Sequence, residues 1–311
     1  MTVSDYLTDW LRARRPELKQ STYEKYMIYL TRHIIPFFDG LGKSLEALTP
    51  LDIREYVSLK RSSGRHDGRA GGLSPVSVRG HLNVLRLALR DAVLYEMIPK
   101  NPAAPVRLPR TSSVSRSARF LSVDRTREIL KAMKGSWLYP IVYITLMYGL
   151  RRSEALGLRW SAIDFDLAEI RICHTIVKNL TVEAKDTTKT DASYRTYPLL
   201  PEAADLLRPL RAGQPLTGYV FHRDGGRYLR PDTLTKGFQK ALRQHGLPRL
   251  RFHDLRHATA SILFDEGWSV PDVQHWLGHA DIETTMNIYA AYNSTRKLKV
   301  GGALAELLEQ P

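Results

Sequence analysis

Apolar side chains recur at helical spacing through the first hundred residues. A stripe that starts at Val3 predicts an amphipathic helix near the beginning of the chain. Polar capping residues ahead of apolar positions predict three further helix starts, at Ser21, Thr49 and Ser74. The pattern therefore predicts a helical domain over residues 1–100.

The apolar periodicity is lost in the next segment. Between 101 and 119 Pro, Ser and Arg dominate, a composition typical of an exposed connection between domains. A basic linker of this kind could follow a phosphate backbone or act only as a flexible tether, and its composition fits both roles. We predict a domain boundary here.

Residues 120–311 are predicted to form a mainly α-helical domain with a small antiparallel β-sheet. A helix capped at Ser122 and a very apolar helix that ends at Gly149 open the domain. Runs of β-branched and aromatic residues predict a three-stranded sheet from 170–172, 175–177 and 194–199. Helical spacing resumes after Pro201.

The net charge of the chain narrows the class of molecule that it could bind. The 311 residues include 46 Lys and Arg against 32 Asp and Glu, a net charge of +14. A hydrophobic fraction of 43% supports real cores, so the excess is not that of a disordered polycation. It favours a polyanion, either nucleic acid or an anionic membrane surface, although a basic protein without such a partner fits equally well.

Features that would direct the chain to a membrane or out of the cell are missing from the sequence. No apolar run approaches the roughly 20 residues that span a bilayer, and the first residues lack the pattern of a signal peptide. A lone Cys173 excludes an internal disulfide and fits a reducing compartment. We predict a cytoplasmic, nucleoid-associated protein without a membrane partner.

The candidate chemistry lies in scattered side chains of the second domain: Arg151, Lys189, His253, Arg256, His279 and Tyr289. Guanidinium groups stay charged and present a planar fork to two phosphate oxygens. A lysine whose pKa is drawn down by other cations can protonate a leaving oxygen. A tyrosine phenol attacks phosphorus once its proton is accepted. This set is what metal-free transfer of a phosphodiester requires.

Each side chain also has an ordinary structural interpretation. Arg151 precedes Glu154 by three residues, and the two could form a surface ion pair. Lys189 lies in a polar turn, and Tyr289 could be a half-buried aromatic residue. His279 follows a glycine and could cap a helix end. Taken singly, the structural interpretations are favoured.

A metal site is the other chemical possibility. His253 and His257 have the i, i+4 spacing of a ligand pair, but no Cys, Asp or Glu completes a recognised ligand pattern. We therefore expect neither a metal nor any other cofactor.

The local sequences around the candidate residues resemble those of the tyrosine recombinases, the phage integrase family. Residues 149–160 resemble its first arginine box, and 189–199 resemble its β-hairpin lysine segment. Residues 252–257 resemble its H-x-x-R box, and 277–289 resemble its closing box, with tyrosine ten residues after histidine. The resemblance covers nearly the whole chain, including the helix starts of the first domain.

The resemblance implies a nucleophile and a general acid. Tyr289 would attack the scissile phosphate and form a 3′-phosphotyrosine link, with Tyr292 as the runner-up because it also follows the Thr284-Thr285 pair. Lys189 would protonate the departing 5′ oxygen. Energy conserved in the tyrosine link would let a second strand be joined without ATP.

The resemblance also implies how the phosphate is held. Arg151 and Arg256 would bind it, and His279 would hydrogen-bond a non-bridging oxygen. His253 would act in proton transfer and hydrogen-bond a phosphate oxygen. Two supporting residues would orient these groups: Glu154 and His257.

Further arginines are candidate DNA contacts. Arg79, Arg86 and Arg90 recur on one predicted helix face, which could meet phosphates or simply be solvated. The linker adds a second set: Arg107, Arg110, Arg116 and Arg119.

The predicted function is site-specific recombination that integrates or excises a phage or another mobile element. Resolution of chromosome or plasmid dimers by the same chemistry, or a catalytically silent DNA-binding protein, are the alternatives. The expected partners are double-stranded DNA, a possible accessory excision factor and further copies of the chain. An apolar stripe lies over 300–308. The resemblance implies that such a C-terminal helix docks on a neighbouring copy and forms a homotetramer, unless that helix packs on its own domain.

Many mobile-element integrases carry an additional domain that binds arm-type DNA sites. The sequence has no such domain ahead of the first helices, which predicts either a simpler recombinase or a shortened chain.

Overall fold

The chain forms two compact units, Met1–Val114 and Ser115–Pro311. The computed structural model describes residues 1–65, 70–108, 121–178, 182–185, 194–223, 226–279, 282–283, 285–286, 288–290 and 292. The division between the units falls inside the predicted linker. No helix among the described residues is long and apolar enough to cross a membrane.

The first unit is α-helical. Its helices are α1 Val3–Arg14, α2 Gln20–Tyr29, a π-helical turn Leu30–Ile34, α3 Ile35–Leu41, α4 Pro50–Ser63 and α5 Pro75–Leu94. Thr49 and Ser74 cap α4 and α5 with their side chains, as predicted. The start predicted at Ser21 is wrong, because α2 begins one residue earlier without a side-chain cap. The carboxylate of Glu24 accepts instead from the side chain of Gln20 (2.8 Å).

The beginning of the predicted linker packs on this first unit. Ala103 and Val106 are buried in its core. Arg86 donates from Nε to the Ala103 carbonyl (3.2 Å) and from Nη2 to the Val106 carbonyl. The side chain of Asn101 donates to the carbonyl of Arg86 (2.9 Å). The guanidinium of Arg86 thus braces the segment that leaves the first unit.

The second unit is mainly helical, which confirms the predicted fold class. Its helices are α6 Val123–Met133, α7 Leu138–Tyr148, α8 Arg152–Gly157, a 3-10 turn Trp160–Ala162, α9 Pro201–Arg211, α10 Pro231–Gln244, α11 Asp254–Asp265 and α12 Val270–Leu277. Ser122 caps α6, and Gly149 ends α7 in the left-handed conformation, both as predicted.

In the part of the chain that the structure describes, the strands form two small antiparallel sheets rather than one. They are β1 Ile163–Asp164, β2 Glu169–Ile172, β3 Thr175–Lys178, β4 Val182–Lys185 and β5 Arg195–Pro198. Among the described residues the order β1-β2-β5 makes one sheet, while β3 pairs with β4 alone. The predicted membership of the sheet was therefore wrong for 175–177. Its true third strand, β1, is two residues long and too short to leave a periodic pattern.

Helix α7 forms the centre of the second core and supports the helices that carry the candidate site. Its buried residues include Ile141, Val142 and Ile144. Helix α11 packs against it, and Thr259 of α11 donates to the carbonyl of Leu146 (2.7 Å). This buried hydrogen bond fixes α11 beside the C-terminal end of α7.

A close approach of backbones makes Gly157 a stability determinant. A Cβ atom there would lie 2.5 Å from the carbonyl oxygen of His174, just before β3. We expect Gly157→Ala to lower the free energy of unfolding by about 1–3 kcal/mol, because the backbone must shift to admit the methyl group. Denaturant unfolding measures the change. Gly40→Ala is the matched control, since a Cβ at Gly40 meets nothing within 4 Å; a loss as large at Gly40 would contradict the steric explanation.

Candidate active site

Arg151 is fixed from two sides at the start of α8. Its Nη1 donates to Oε1 of Glu154 (2.6 Å), and its Nη2 donates to the carbonyl of Gly278 (2.9 Å). Gly278 ends α12 in the left-handed conformation, so this carbonyl carries the partial negative charge of a helix C-terminus. The guanidinium is thereby held between a carboxylate and a helix end.

Arg256 lies on the first turn of α11 and is buried, with 1% of its surface exposed. Its Nη1 donates to the carbonyl of Gly149 at the end of α7 (2.7 Å). Its Nη2 has no hydrogen-bond partner within the part of the chain that is described. Burial, and then the charge of Arg151, lower the pKa of Arg256 to about 9. The side chain therefore stays cationic at neutral pH, with one donor unused.

Glu154 connects the arginines. It is 1% exposed, so the surface ion pair considered from the sequence is in fact buried. Its Oε2 accepts from the backbone N–H of Arg151 (2.9 Å) and lies 4.0 Å from Nη1 of Arg256. Burial alone would raise the pKa of Glu154, but the charge of Arg195 and then that of Arg151 outweigh it and lower the pKa to about 2.

Arg195 is a member of this cluster that sequence reasoning did not single out. It lies at the start of β5, and its Nη2 donates to Oε2 of Glu154 (2.9 Å). It stands inside the segment that resembles the lysine hairpin, so its position was visible in the sequence. Its burial against Glu154 was not, because alternation along a four-residue strand does not show which partner a side chain meets.

His279 follows Gly278 and enters the same cluster from α12. Its Nδ1 lies 2.8 Å from the hydroxyl of Thr285, which is fully buried. Burial, and then the charges of Arg256 and Arg151, lower the pKa of His279 to about 3. If the Thr285 hydroxyl donates to Nδ1, the imidazole carries its proton on Nε2 and can donate there. The sequence placed Thr285 in the closing box but did not show its contact with His279.

The rings of His253 and His257 are in contact at the start of α11. Their rings meet edge to face with centroids 4.9 Å apart. His253 is an exposed residue, but the protein packed around it removes part of its hydration; this partial desolvation, followed by the charges of His257 and Arg256, lowers the pKa of His253. His253 is therefore neutral at neutral pH. Among the described residues no group of three or more His, Cys, Asp or Glu side chains could hold a metal ion.

Tyr289 and Tyr292 differ in what their side chains contact. The ring of Tyr289 packs edge to face on Phe264, with centroids 5.0 Å apart, and is half-buried. Tyr292 is buried, and its hydroxyl donates to Oδ1 of Asp265 (2.5 Å). The structure does not bring the Tyr289 hydroxyl into hydrogen-bond contact with Arg151 or Arg256. Of the two phenols, that of Tyr292 is tied to a carboxylate.

A basic groove of about 580 Å³ adjoins Arg151 and His253. Three further arginines line it: Arg152, Arg249 and Arg251. Arg152 donates to the hydroxyl of Thr235 (2.9 Å). Sequence reasoning passed over these side chains, although Arg249 and Arg251 stand directly before the H-x-x-R box.

The DNA-contact candidates of the first unit differ in environment. Arg79, Arg90 and Arg107 are exposed, whereas Arg86 is engaged by the carbonyls of Ala103 and Val106. The remaining candidates lie outside the described residues: Lys189, Arg110, Arg116 and Arg119.

The imidazole of His279 should stay neutral through the physiological range of pH. Its pKa is lowered to about 3, so acidification from pH 8 to 5 leaves the protonation state unchanged, whereas an ordinary histidine protonates near pH 6.5. NMR titration of histidine-labelled protein measures this, with the signal assigned by comparison with His279→Asn. An inflection near pH 6.5 on that signal would show that the ring is not desolvated beside the arginines.

Comparison with known proteins places the two units in one family. Residues 119–296 match the model described as Phage integrase family, and residues 2–60 match the one described as Phage integrase, N-terminal SAM-like domain. The chain is 26% identical over 317 residues to a tyrosine recombinase XerC-like protein of Caldanaerobacter subterraneus subsp. tengcongensis, with 93% of this chain and 79% of the relative covered.

Solved structures share the fold. The Tn1549 transposon integrase in complex with a circular intermediate DNA has a TM-score of 0.75 and 19% identity, over 96% of this chain and 99% of that chain. A lambda integrase tetramer bound to a Holliday junction has a TM-score of 0.65 and 21% identity, over 90% of this chain and 78% of that chain. Because the first family match spans more than half of the sequence, this chain belongs to the phage integrase family, as its motifs predicted.

Proposed function

We propose that this chain is a site-specific DNA recombinase that cuts and rejoins strands through a 3′-phosphotyrosine link. One observation carries the proposal: the buried guanidinium of Arg256, whose Nη2 lacks a partner among the described residues. An unsatisfied buried donor, especially a charged one, is costly. A non-bridging phosphate oxygen would satisfy it, and the guanidinium of Arg151 beside it would neutralise the second oxygen.

The proposed reaction is a transesterification. The phenol oxygen of Tyr289 attacks phosphorus and the bond from phosphorus to the 5′ oxygen breaks. The neutral imidazole of His253 takes the phenol proton, and Lys189 gives a proton to the 5′ oxygen, which leaves as a hydroxyl. His279 donates from Nε2 to a non-bridging oxygen. Reversal of these steps with another 5′ hydroxyl rejoins the strand without an external energy source.

The basic groove beside Arg151 gives the DNA backbone a path from the scissile phosphate. Arg152, Arg249 and Arg251 line it, and we assign them to neighbouring phosphates. In the first unit the exposed Arg79 and Arg90 are the proposed phosphate contacts of α5. Arg86 contributes by bracing the start of the linker, whose own candidates are Arg107, Arg110, Arg116 and Arg119. His257 supports His253 by packing against its ring.

The biological role that we favour is integration and excision of a mobile element, since a transposon integrase shares the fold over 96% of this chain. Because the chain also resembles a XerC-like recombinase, resolution of chromosome or plasmid dimers is the second candidate role. Sequencing the DNA junctions that the active protein makes distinguishes them. Junctions between an element and its host favour the first role, and junctions between identical replicon sites favour the second. An accessory excision factor would bias the first reaction.

Covalent trapping separates the enzyme from a silent DNA-binding protein. A suicide substrate nicked beside the cleavage position loses its short 5′-hydroxyl fragment, so the protein stays linked to the 3′ phosphate. We expect the wild-type protein to form an adduct that survives denaturing electrophoresis without metal or ATP. Stable binding to the same DNA without any adduct would refute the enzymatic function.

We further propose that the active assembly is a tetramer joined by C-terminal segments. The apolar positions of that segment lie outside the described residues: Val300, Ala303, Leu304, Leu307 and Leu308. An apolar groove of about 370 Å³ on the second unit offers a complementary surface, lined among others by Leu130, Met147 and Leu263. A similar fold is found in a lambda integrase tetramer on a Holliday junction.

Substitutions on either side of this contact test the assembly. We expect Leu304→Asp and Leu263→Asp each to prevent tetramers on a four-way junction in analytical ultracentrifugation, because a buried unpaired carboxylate is strongly unfavourable. Both variants should still form the adduct on a single half-site. Leu216→Asp, at an exposed position, is the matched control. Tetramers of wild-type stability from both variants would place the segment on its own domain.

A further inference from the structure

The buried carboxylate of Glu154 is shared between guanidinium groups with different tasks. Arg195 donates hydrogen bonds to both oxygens of Glu154, from Nη2 to Oε2 (2.9 Å) and from Nη1 to Oε1 (3.3 Å). The side chains of Arg195 and Glu154 are 9% and 1% exposed. This ion pair is therefore shielded from water, and water molecules do not compete with either partner for its hydrogen bonds.

Arg256 stands next to the same carboxylate without a hydrogen bond to it. Its Nη1 is 4.0 Å from Oε2 of Glu154 but 2.7 Å from the carbonyl of Gly149. Its Nη2 is the unpartnered donor described above. Which arginine the carboxylate engages thus decides where the guanidinium of Arg256 lies.

Arg195 also joins three parts of the site into one network. Its Nε donates to the hydroxyl of Tyr197 on the same strand (2.5 Å), and that hydroxyl donates to the carbonyl of Trp276 in α12. Strand β5, helix α8 and the end of α12 are therefore connected through one guanidinium. A side chain held at every donor group in this way has little freedom to turn toward a ligand.

We propose that Arg195 is a positioning residue for strand cleavage. By holding both oxygens of Glu154, it keeps that carboxylate from drawing Nη1 of Arg256 away from the Gly149 carbonyl, and so keeps the guanidinium where its Nη2 can meet the scissile phosphate. The proposal rests on the recombinase function proposed above. Arg195 does not touch the DNA; it acts through Glu154.

Loss of Arg195 would have a specific structural consequence. With Oε2 released, Arg256 has to move its Nη1 by only about 1 Å to form a hydrogen bond with Glu154, at the expense of Gly149. The guanidinium would then be displaced and partly neutralised where the phosphate must bind. A misplacement of this size costs up to about 10²-fold in rate.

The test is the single-turnover rate of adduct formation on the suicide substrate. We expect Arg195→Gln to slow it by about 10²-fold, and Arg195→Lys to fall between that variant and wild type because it keeps the charge but not the fork. Affinity for uncleaved DNA should change little. Arg171→Gln on the neighbouring strand β2, whose guanidinium donates to the Ser161 carbonyl, is the matched control and should cleave normally.

A double variant separates positioning from general stability. In Arg195→Gln with Glu154→Gln the competing charge is gone, while the amide oxygen of the glutamine at 154 can still accept from Nη1 of Arg151. We therefore expect cleavage at least about tenfold faster than in Arg195→Gln alone. A purely structural role would make the double variant slower than either single one, with a lower melting temperature, and would overturn the proposal.

The remaining outcomes are also decisive. Wild-type rates in both Arg195→Gln and Arg195→Lys would overturn the role of Arg195 while leaving the recombinase function intact. A wild-type protein that binds DNA but forms no adduct would overturn both. If Arg195→Gln does not fold, the Arg195→Lys rate with and without Glu154→Gln makes the same comparison.

Discussion

Replacing Tyr289 with phenylalanine should abolish the covalent adduct completely. Phenylalanine lacks the phenol oxygen that attacks phosphorus in the proposed reaction, so the expected loss is limited by detection rather than by a residual rate. The aromatic ring is retained, and its edge-to-face packing on Phe264 should persist. The measurement is trapping on the suicide substrate, with affinity for uncleaved DNA determined in parallel and expected to be unchanged.

Tyr292→Phe is the matched control for this experiment. The hydroxyl of Tyr292 donates to Asp265, so its removal should lower the free energy of unfolding by about 1 kcal/mol. It should leave adduct formation intact, because a phenol tied to a carboxylate is a poor candidate for attack on an anionic phosphate. Adduct from Tyr289→Phe, together with none from Tyr292→Phe, would assign the nucleophile to Tyr292.

Arg256→Lys should slow cleavage by about 10³-fold with only a small loss of DNA affinity. Lysine keeps the positive charge but cannot bond the Gly149 carbonyl and a phosphate oxygen at once with a planar fork. Loss of one preorganised donor costs about 10²–10³-fold in rate. Loss of the hydrogen bond from Arg256 to the Gly149 carbonyl adds to this cost. Rates at saturating protein separate this chemical effect from binding.

The free energy of unfolding of Arg256→Lys has to be measured alongside its cleavage rate. Arg256 is buried with Glu154 in contact range, so a poorer fit there also weakens the folded state. Arg243→Lys, on the exposed end of α10, provides the same substitution away from the site and should be neutral. If Arg256→Lys cleaved within about threefold of wild type, the guanidinium would not be the transition-state group that we propose.

Much of the fold could be predicted because its signals are local. The caps at Thr49, Ser74 and Ser122 and the terminator Gly149 act within one helical turn, so the sequence displays them directly. The sheet was predicted less well, since pairing of β2 with β5 depends on strands separated by more than twenty residues. The predicted start of α2 was wrong for a different reason: the carboxylate of Glu24 accepts a hydrogen bond from the side chain of Gln20 and does not form a capping box with Ser21.

The candidate residues themselves were determined by the sequence, in type, order and local context. Only the tertiary structure decided how they interact. Arg256 meets a carbonyl 107 residues away and Arg151 meets one 127 residues away, and no local pattern encodes such contacts. Packing of α7, α8, α11 and β5 buries Glu154, brings Arg195 onto its carboxylate and leaves Nη2 of Arg256 without a partner among the described residues. Burial is what makes the distribution of one carboxylate among three guanidinium groups matter.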